Sequence, residues 1–255
     1  RLMRQPKLPT VYNLIALETV DSTNDEAKRL AALGEESAPD GTIVWALEQT
    51  GGRGRRGRVW GSPPGNLYWS LILRPEVNIA VAAQLSFVAA LALYDALGNV
   101  GEPGHEVLCK WPNDVLLNGK KVAGILLESE SQSNDQLDWL VLGLGVNVVS
   151  CPEKTSYPAT SLRLEAIGAT VEELLEAFSR SFLGWADKWL DQGFAPIRQN
   201  WLWRCKGKGE RIEVQIGDKT VSGIFQDMNE DGALVLATDG GTQLITAGDI
   251  YFAAG

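Results

Sequence analysis

Residues 48–65 read Glu-Gln-Thr-Gly-Gly-Arg-Gly-Arg-Arg-Gly-Arg-Val-Trp-Gly-Ser-Pro-Pro-Gly, with four arginines inside positions 53–58. Glycine lets a backbone approach a ligand closely and take positive φ. Arginine supplies a rigid fork of donors suited to phosphate or carboxylate. The stretch is therefore predicted to be a loop that folds around an anionic group. Within it, Gly52-x-Gly54-x-x-Gly57 matches the dinucleotide fingerprint, which requires a strand before it and a helix after it. The apolar, β-rich Thr42–Leu47 provides the strand. Val59 to Gly65, with its Pro63-Pro64 pair, cannot provide the helix. That excludes a dinucleotide-binding sheet. No Gly-Lys-Ser/Thr phosphate loop and no kinase His-Arg-Asp or Asp-Phe-Gly sequence occurs either. Arg-Gly segments that bind RNA usually come as long disordered repeats, whereas this one is short and lies between apolar strands.

Working outward, Val11–Val20 reads as a strand, and Ser22 or Thr23 opens a helix to about Leu33. Ser22-x-x-Asp25 and Thr23-x-x-Glu26 both have the spacing of a capping box, and Gly34 is a natural stop. Asn66–Leu73 is a further strand, and Ile79–Leu97 is an alanine-rich helix ended by Gly98. Val107–Trp111 and Val115–Leu117 are short strands. Asn118-Gly119 has the sequence of a type I′ turn, so Val115–Leu117 should pair with Val122–Glu128. Trp139–Val149 is a long apolar strand. A second helix runs from Thr170, with Glu173 as capping partner, to about Asp191, and Gly193 precedes a short segment around Pro196–Arg204. From Gly207 the texture changes to short β patterns at 211–216, 219–226, 233–238 and 243–246, separated by Gly- and Asp-rich turns. These read as a small SH3-like barrel. The expected division is 1–204 and 205–255.

The chain has 255 residues, 45% of them hydrophobic and 22% charged, which fits a soluble globular protein. No uninterrupted apolar run reaches the roughly 20 residues of a membrane span, and the basic N-terminal stretch to Thr10 lacks a signal's apolar segment. Three scattered cysteines, Cys109, Cys151 and Cys205, form neither a disulfide framework nor a zinc pattern, so no metal site is expected and a reducing cytoplasm is the simplest location. His105 is the only histidine and falls in loop-like sequence, which removes most His-dependent catalysis. The formal charge of −9 disfavours non-specific nucleic-acid binding.

Other constellations are ambiguous singly. Lys110 in Lys-Trp-Pro-Asn-Asp (110–114) should be partly buried, either in a structural salt bridge or against a substrate anion. Gly143-Leu-Gly-Val-Asn ends a buried strand, and its glycines allow close packing against backbone or ligand. Asp21-Ser-Thr-Asn is a helix cap whose hydroxyls and amide suit a neutral polar ligand.

Taken in order, Asp-Ser-Thr-Asn (21–24), the 48–60 loop, Asn-Leu-Tyr-Trp-Ser (66–70), Lys-Trp-Pro-Asn-Asp (110–114), Lys-Val-Ala-Gly-Ile-Leu-Leu-Glu (121–128) and Gly-Leu-Gly-Val-Asn (143–147) form a series that resembles the biotin–protein ligase family over roughly residues 12–255. The resemblance implies an α/β (α+β) catalytic domain with a mixed sheet and flanking helices, followed by a small SH3-like barrel. It implies two half-reactions: ATP with Mg²⁺ converts biotin to biotinyl-5′-AMP, and a carrier-protein lysine then takes the biotinyl group. The carrier expected is the biotin carboxyl carrier protein of acetyl-CoA carboxylase. By position, Ser22, Thr23, Asn24 and Gln49 would contact biotin. Arg53, Gly54 and Arg55 fall in the loop that closes over biotin and the adenylate, with Arg56 and Arg58 on the adenylate side. Trp60 would help cover the adenylate. Lys110 would contact the carboxyl and phosphoryl region and, with Arg55, carry catalysis; Gly124, Gly145 and Asn147 line the site. Larger relatives carry an N-terminal DNA-binding domain and act as repressors; with 20 residues before Asp21, no sequence-specific DNA binding is expected. A lipoate–protein ligase is the nearest rival, and a nucleic-acid-binding module is the rival of another class. The sequence leaves open whether the protein is a monomer or a homodimer.

Overall fold

Alternation along the strands organises the molecule. On β2 (Thr42–Gln49), Ile43 and Trp45 belong to one core cluster, while Val44 packs with Ala27 and Ala31 of α1 (Thr23–Ala32) in another. On β3 (Leu67–Leu73), Leu67, Trp69 and Leu71 join the first cluster and Ile72 the second. Side chains two apart share a face of a strand, so this sheet is buried on both sides. The computed structural model describes residues 4–131 and 135–253; the first residues of the basic N-terminal stretch lie outside them.

The main sheet also contains β1 (Asn13–Val20), β4 (Val107–Lys110), β5 (Asp114–Leu117), β6 (Lys120–Ser131) and β7 (Leu137–Val146). Its order is β1-β2-β3-β7-β6-β5-β4, with β1 and β2 parallel and the other pairs antiparallel. Asn118 and Gly119 take φ 50 and 79, as the expected tight turn requires, and Leu117 pairs with Lys120. One face carries α3 (Leu85–Val100), α4 (Val171–Gln192) and α5 (Phe194–Trp203); the other carries α1. β8 (Arg211–Ile216), β9 (Lys219–Met228), β10 (Leu234–Thr238), β11 (Gly241–Ile245) and β12 (Asp249–Phe252) form a second, antiparallel sheet in the order β11-β10-β9-β8-β12.

Several local readings need correction. The alanine-rich helix is broken into α2 (Ile79–Ala82) and α3, and it continues past Gly98 to Val100. Gly98 faces solvent while Ala96 and Leu97 are buried, so packing offsets the roughly 1 kcal/mol cost of a helical glycine. This 79–100 stretch is long and apolar enough to cross a membrane, yet much of it is buried in the protein core. The short segment around Pro196–Arg204, given no type from the sequence, is the helix α5; Pro196 lies in its first turn, where the missing N–H has no helical partner to lose. The strand β12 is not among the expected strands: it carries only four residues, although Ile250, Tyr251 and Phe252 are β-favouring types. Ser22 caps α1 through the Asp25 amide at 3.3 Å. No reciprocal box forms, because the Asp25 carboxylate bonds to Arg53. Thr170 and Glu173 do form the expected box on α4.

The second sheet packs against α3, α5 and the turn after β4. Trp111 Nε1 donates to Gly232 O at 3.0 Å, and a Cβ on Gly232 would lie 2.7 Å from Phe87. Arg198 of α5 reaches Asp227 at 2.8 Å. The same hydrophobic cluster runs from Trp69 and Phe178 to Val214 and Phe225. Phe178 is fully buried, edge-on to Trp69 at 5.0 Å and stacked with Phe182 at 5.9 Å. Phe178→Ala is expected to cost roughly 3–5 kcal/mol, measured as a lower urea midpoint at unchanged m-value.

Candidate active site

Three glycines open the face of the sheet on the α1 side. Gly145 pairs with Tyr68 on β3 and with Gly124 on β6, while Gly143 pairs with Ser70 and Leu126. Strand alternation aims these positions toward the N-terminus of α1 and the arginine loop. A Cβ on Gly145 would lie 2.7 Å from the Trp60 ring, and one on Gly124 3.1 Å from it; a Cβ on Gly143 would collide with the Asn24 amide. The glycines let Trp60 and Asn24 lie close against the sheet, and together these residues line a cavity of about 350 Å³ beneath the loop, within the usual range for small-molecule sites.

One end of the cavity is neutral and hydrogen-bonded. The Thr23 amide donates to Gln49 Oε1 at 2.7 Å, and Gln49 Nε2 donates to Ser62 Oγ at 2.8 Å. Ser70 Oγ lies 2.6 Å from Asn24 Oδ1 and 2.7 Å from Thr23 Oγ1. A hydroxyl has one proton and an amide oxygen only accepts, so Ser70 donates to Asn24 and accepts from Thr23. Thr23 thereby keeps oxygen lone pairs for an incoming N–H. Asn24 Nδ2 donates to Glu128 at 2.9 Å, which fixes the amide's orientation.

The other end is cationic. Lys110, 3% exposed at the end of β4, lies 3.5 Å from Asp114, and Lys121 lies 2.9 Å from the other oxygen of the same carboxylate. Burial lowers the Lys110 pKa, with Asp114 only partly opposing it. Burial would raise the pKa of Asp114, but Lys121 and Lys110 outweigh it and hold the carboxyl below the usual aspartate range. Lys110 also sits 4.7 Å from the Tyr157 ring, and Lys121 5.4 Å from the Trp60 ring. In the loop, residues 55–57 form a single 3₁₀ turn with Arg56 at φ 56, not the helix of a dinucleotide site. Arg53 is paired with Asp25 at 2.5 Å and Glu128 at 3.2 Å. Arg55 and Arg58 both meet Asp249 on β12.

Comparisons with known proteins agree with this geometry. The profile of the biotin/lipoate A/B protein ligase family matches residues 16–147, and that of the biotin protein ligase C-terminal domain matches 208–253. The biotin–[acetyl-CoA-carboxylase] ligase of Paracoccus denitrificans is 45% identical, over 92% of this chain and 99% of its own length. The chain belongs to the biotin protein ligase family. The bifunctional ligase/repressor BirA of Bacillus subtilis is 33% identical over 93% of this chain and 73% of its own length. The biotin protein ligase of Aquifex aeolicus, solved in complex with biotin and ATP, superposes with a TM-score of 0.75 at 31% identity, covering 94% of this chain and 97% of that one.

Within the family's fold, Ser22, Thr23, Asn24, Gln49, Arg53, Gly54, Arg55, Arg58, Trp60, Lys110, Gly124, Gly145 and Asn147 all line the one cavity. Arg56 does not. It is exposed at the tip of the turn, because successive residues of so tight a bend cannot all face inward. Several lining residues went unassigned in the sequence, among them Asp114, Lys121, Tyr157 and Asp249. Asp114 and Lys121 stand inside recognised motifs, but their pairing with Lys110 depends on the β4-β5-β6 register. Tyr157 and Asp249 come from segments with no distinguishing pattern.

Asp114→Asn would leave two lysines facing each other without their counter-ion. We expect a loss of about 3–5 kcal/mol at neutral pH. Because the folded pKa of Asp114 is lowered, its contribution is present above the unfolded value of about 3.9 and is lost as pH falls through the folded one. Urea midpoints measured from neutral pH into acid should therefore converge for the two proteins.

Proposed function

We propose that the protein joins biotin to ATP, forming biotinyl-5′-AMP, and passes the biotinyl group to a lysine of the biotin carboxyl carrier protein of acetyl-CoA carboxylase. The observation that carries this reading is one cavity with a neutral hydrogen-bonding end and a cationic end. Biotin's ureido ring is neutral and needs fixed donors and acceptors in an apolar surround; Ser22, Thr23, Asn24 and Gln49 offer them. Its carboxylate then points toward Lys110, Lys121, Arg55 and Arg58, where the triphosphate must also lie. The carboxylate oxygen attacks the α-phosphorus and the bond to pyrophosphate breaks. The lysine amine next attacks the acyl carbon, AMP leaves and the amine gives up a proton. Both steps depend on holding anions together in position, which cations in a partly dry cleft achieve without a histidine base.

Mg²⁺ belongs to the same proposal, as a companion of the triphosphate. Among the described residues no trio of His, Cys, Asp or Glu forms a metal cluster. The lining carboxylates Asp114 and Asp249 each already hold two cationic side chains. The protein therefore offers the ion no carboxylate cage, and phosphate oxygens and water would hold it. A division near residue 205 is supported by the start of the second sheet at Arg211. A cytoplasmic location fits the three unpaired cysteines.

Incubation with ATP and either biotin or lipoic acid, followed by mass measurement of the bound adenylate, tests the reading; lipoyl-AMP without biotinyl-AMP would refute it. Lys110→Ala should lower the rate of adenylate formation on the order of 100-fold. Its fold should persist, since Asp114 keeps Lys121; rapid-quench assays and thermal melts check the two halves. Arg55→Gly should release biotinyl-AMP faster, detected as biotin on lysines of bystander proteins.

A further inference from the structure

The arginine loop lacks apolar anchors at its far end. None of residues 55–57 is buried, and Val59 is 87% exposed. Its internal bonds, Gly54 N to Arg58 O and Trp60 N to Gly52 O, shape the hairpin but do not attach it to anything else. Arg53 ties the near end to Asp25 and Glu128. The side-chain hydrogen bonds of Arg55 and Arg58 beyond the loop run to Gly248 O and to the Asp249 carboxylate.

Asp249, like Asp114, is a carboxylate at the cationic end of the cavity. Its side chain is 10% exposed, and it lines a cavity whose other charged groups at this end include Lys110 and Lys121. A carboxylate here repels an anionic ligand, so attraction to the ligand does not explain its presence. Its bonds do: one oxygen takes Arg55 Nη2 at 2.8 Å and the other takes Arg58 Nη2. A guanidinium carries five N–H donors, so each arginine retains donors for a phosphate after Asp249 is satisfied. Asp249 opens β12, which pairs with β8 from Asp249↔Gln215 to Phe252↔Ile212, while the β9–β10 turn is held under Trp111 and Phe87. The carboxylate is thus carried on the edge strand of the second sheet, held in place by its pairing with β8. Burial would raise the Asp249 pKa, but the Arg58 hydrogen bond and the charges of Arg55, Arg58 and Lys110 keep it below the usual range.

We propose that Asp249 is a positioning residue that pins Arg55 and Arg58 over the acyl-adenylate, so that the C-terminal sheet governs how long the intermediate is retained. This rests on the ligase reading above. Asp249 touches no reacting atom; it acts through the two arginines.

The test uses the full chain and Asp249→Asn, with Asp249→Glu as the conservative control. Losing one charged, partly buried anchor should speed biotinyl-AMP release about tenfold, the equivalent of one 1.4 kcal/mol step. Biotin affinity without ATP should change less than about twofold on the same scale, a split that general unfolding would not produce. Limited trypsin digestion of the ligand-free protein should cut the 53–58 arginines faster in Asp249→Asn, and Asp249→Glu should restore much of the protection. Unchanged release and unchanged cutting would overturn the proposal. Slower release would overturn it too, by showing that Asp249 competes with the ligand. If Asp249→Asn does not fold, Arg58→Gln probes the same pair from the loop side, and wild-type retention there counts against it. Failure of the wild-type protein to form biotinyl-AMP defeats the ligase reading instead, while the trypsin comparison still reports on the ion pair.

Discussion

The pairing of β3, β7 and β6 is the constraint on which the rest depends. Because side chains alternate along a strand, one register sets both faces of the sheet at once. It sends Leu67, Trp69, Leu71, Leu140, Leu142 and Leu144 into the core beneath α3 and α4. The same register brings Ser70, Gly143, Gly145 and Gly124 together on the opposite face. A slip by one residue would bury the glycines and turn the leucines into the site. Core packing, which contributes most of the stability, therefore also holds the floor of the cavity in place.

Most of the charges above that floor are arranged in pairs. Arg53 is bound to Asp25 and Glu128, Arg55 and Arg58 to Asp249, and Lys110 and Lys121 to Asp114. Isolated cations in a partly dry cleft would be costly. A shared carboxylate keeps two cations charged and close together, with donors left over for a ligand. Two of the sharing carboxylates, Asp114 and Asp249, are contributed by different sheets, so the charge balance of the site spans both parts of the protein.

Much of this was legible in the residues. The Pro-Pro-Gly segment after Gly57 ruled out a helix there, and the structure has a single 3₁₀ turn. Asn118-Gly119 announced the β5–β6 hairpin. Less was legible where local signal is weak: the break between α2 and α3, the helix α5 despite Pro196, and the four-residue β12. Pro196 sits in the first turn, where a proline breaks no helical bond, and β12 is too short to stand out from the turns around it.

The order of motifs along the chain was enough to identify the loop, the helix cap, the lysine and the glycine strands as parts of one kind of site, because each needs particular residue types at short spacing. What it could not supply were the partners across long separations. Arg55 and Asp249 stand 194 positions apart, and Lys110 meets Asp114 and Lys121 only through strand register. A carboxylate's role depends on what lies within a few ångströms of it, since Coulomb energy falls with distance and rises with burial. Neither quantity is written in a chain until it folds.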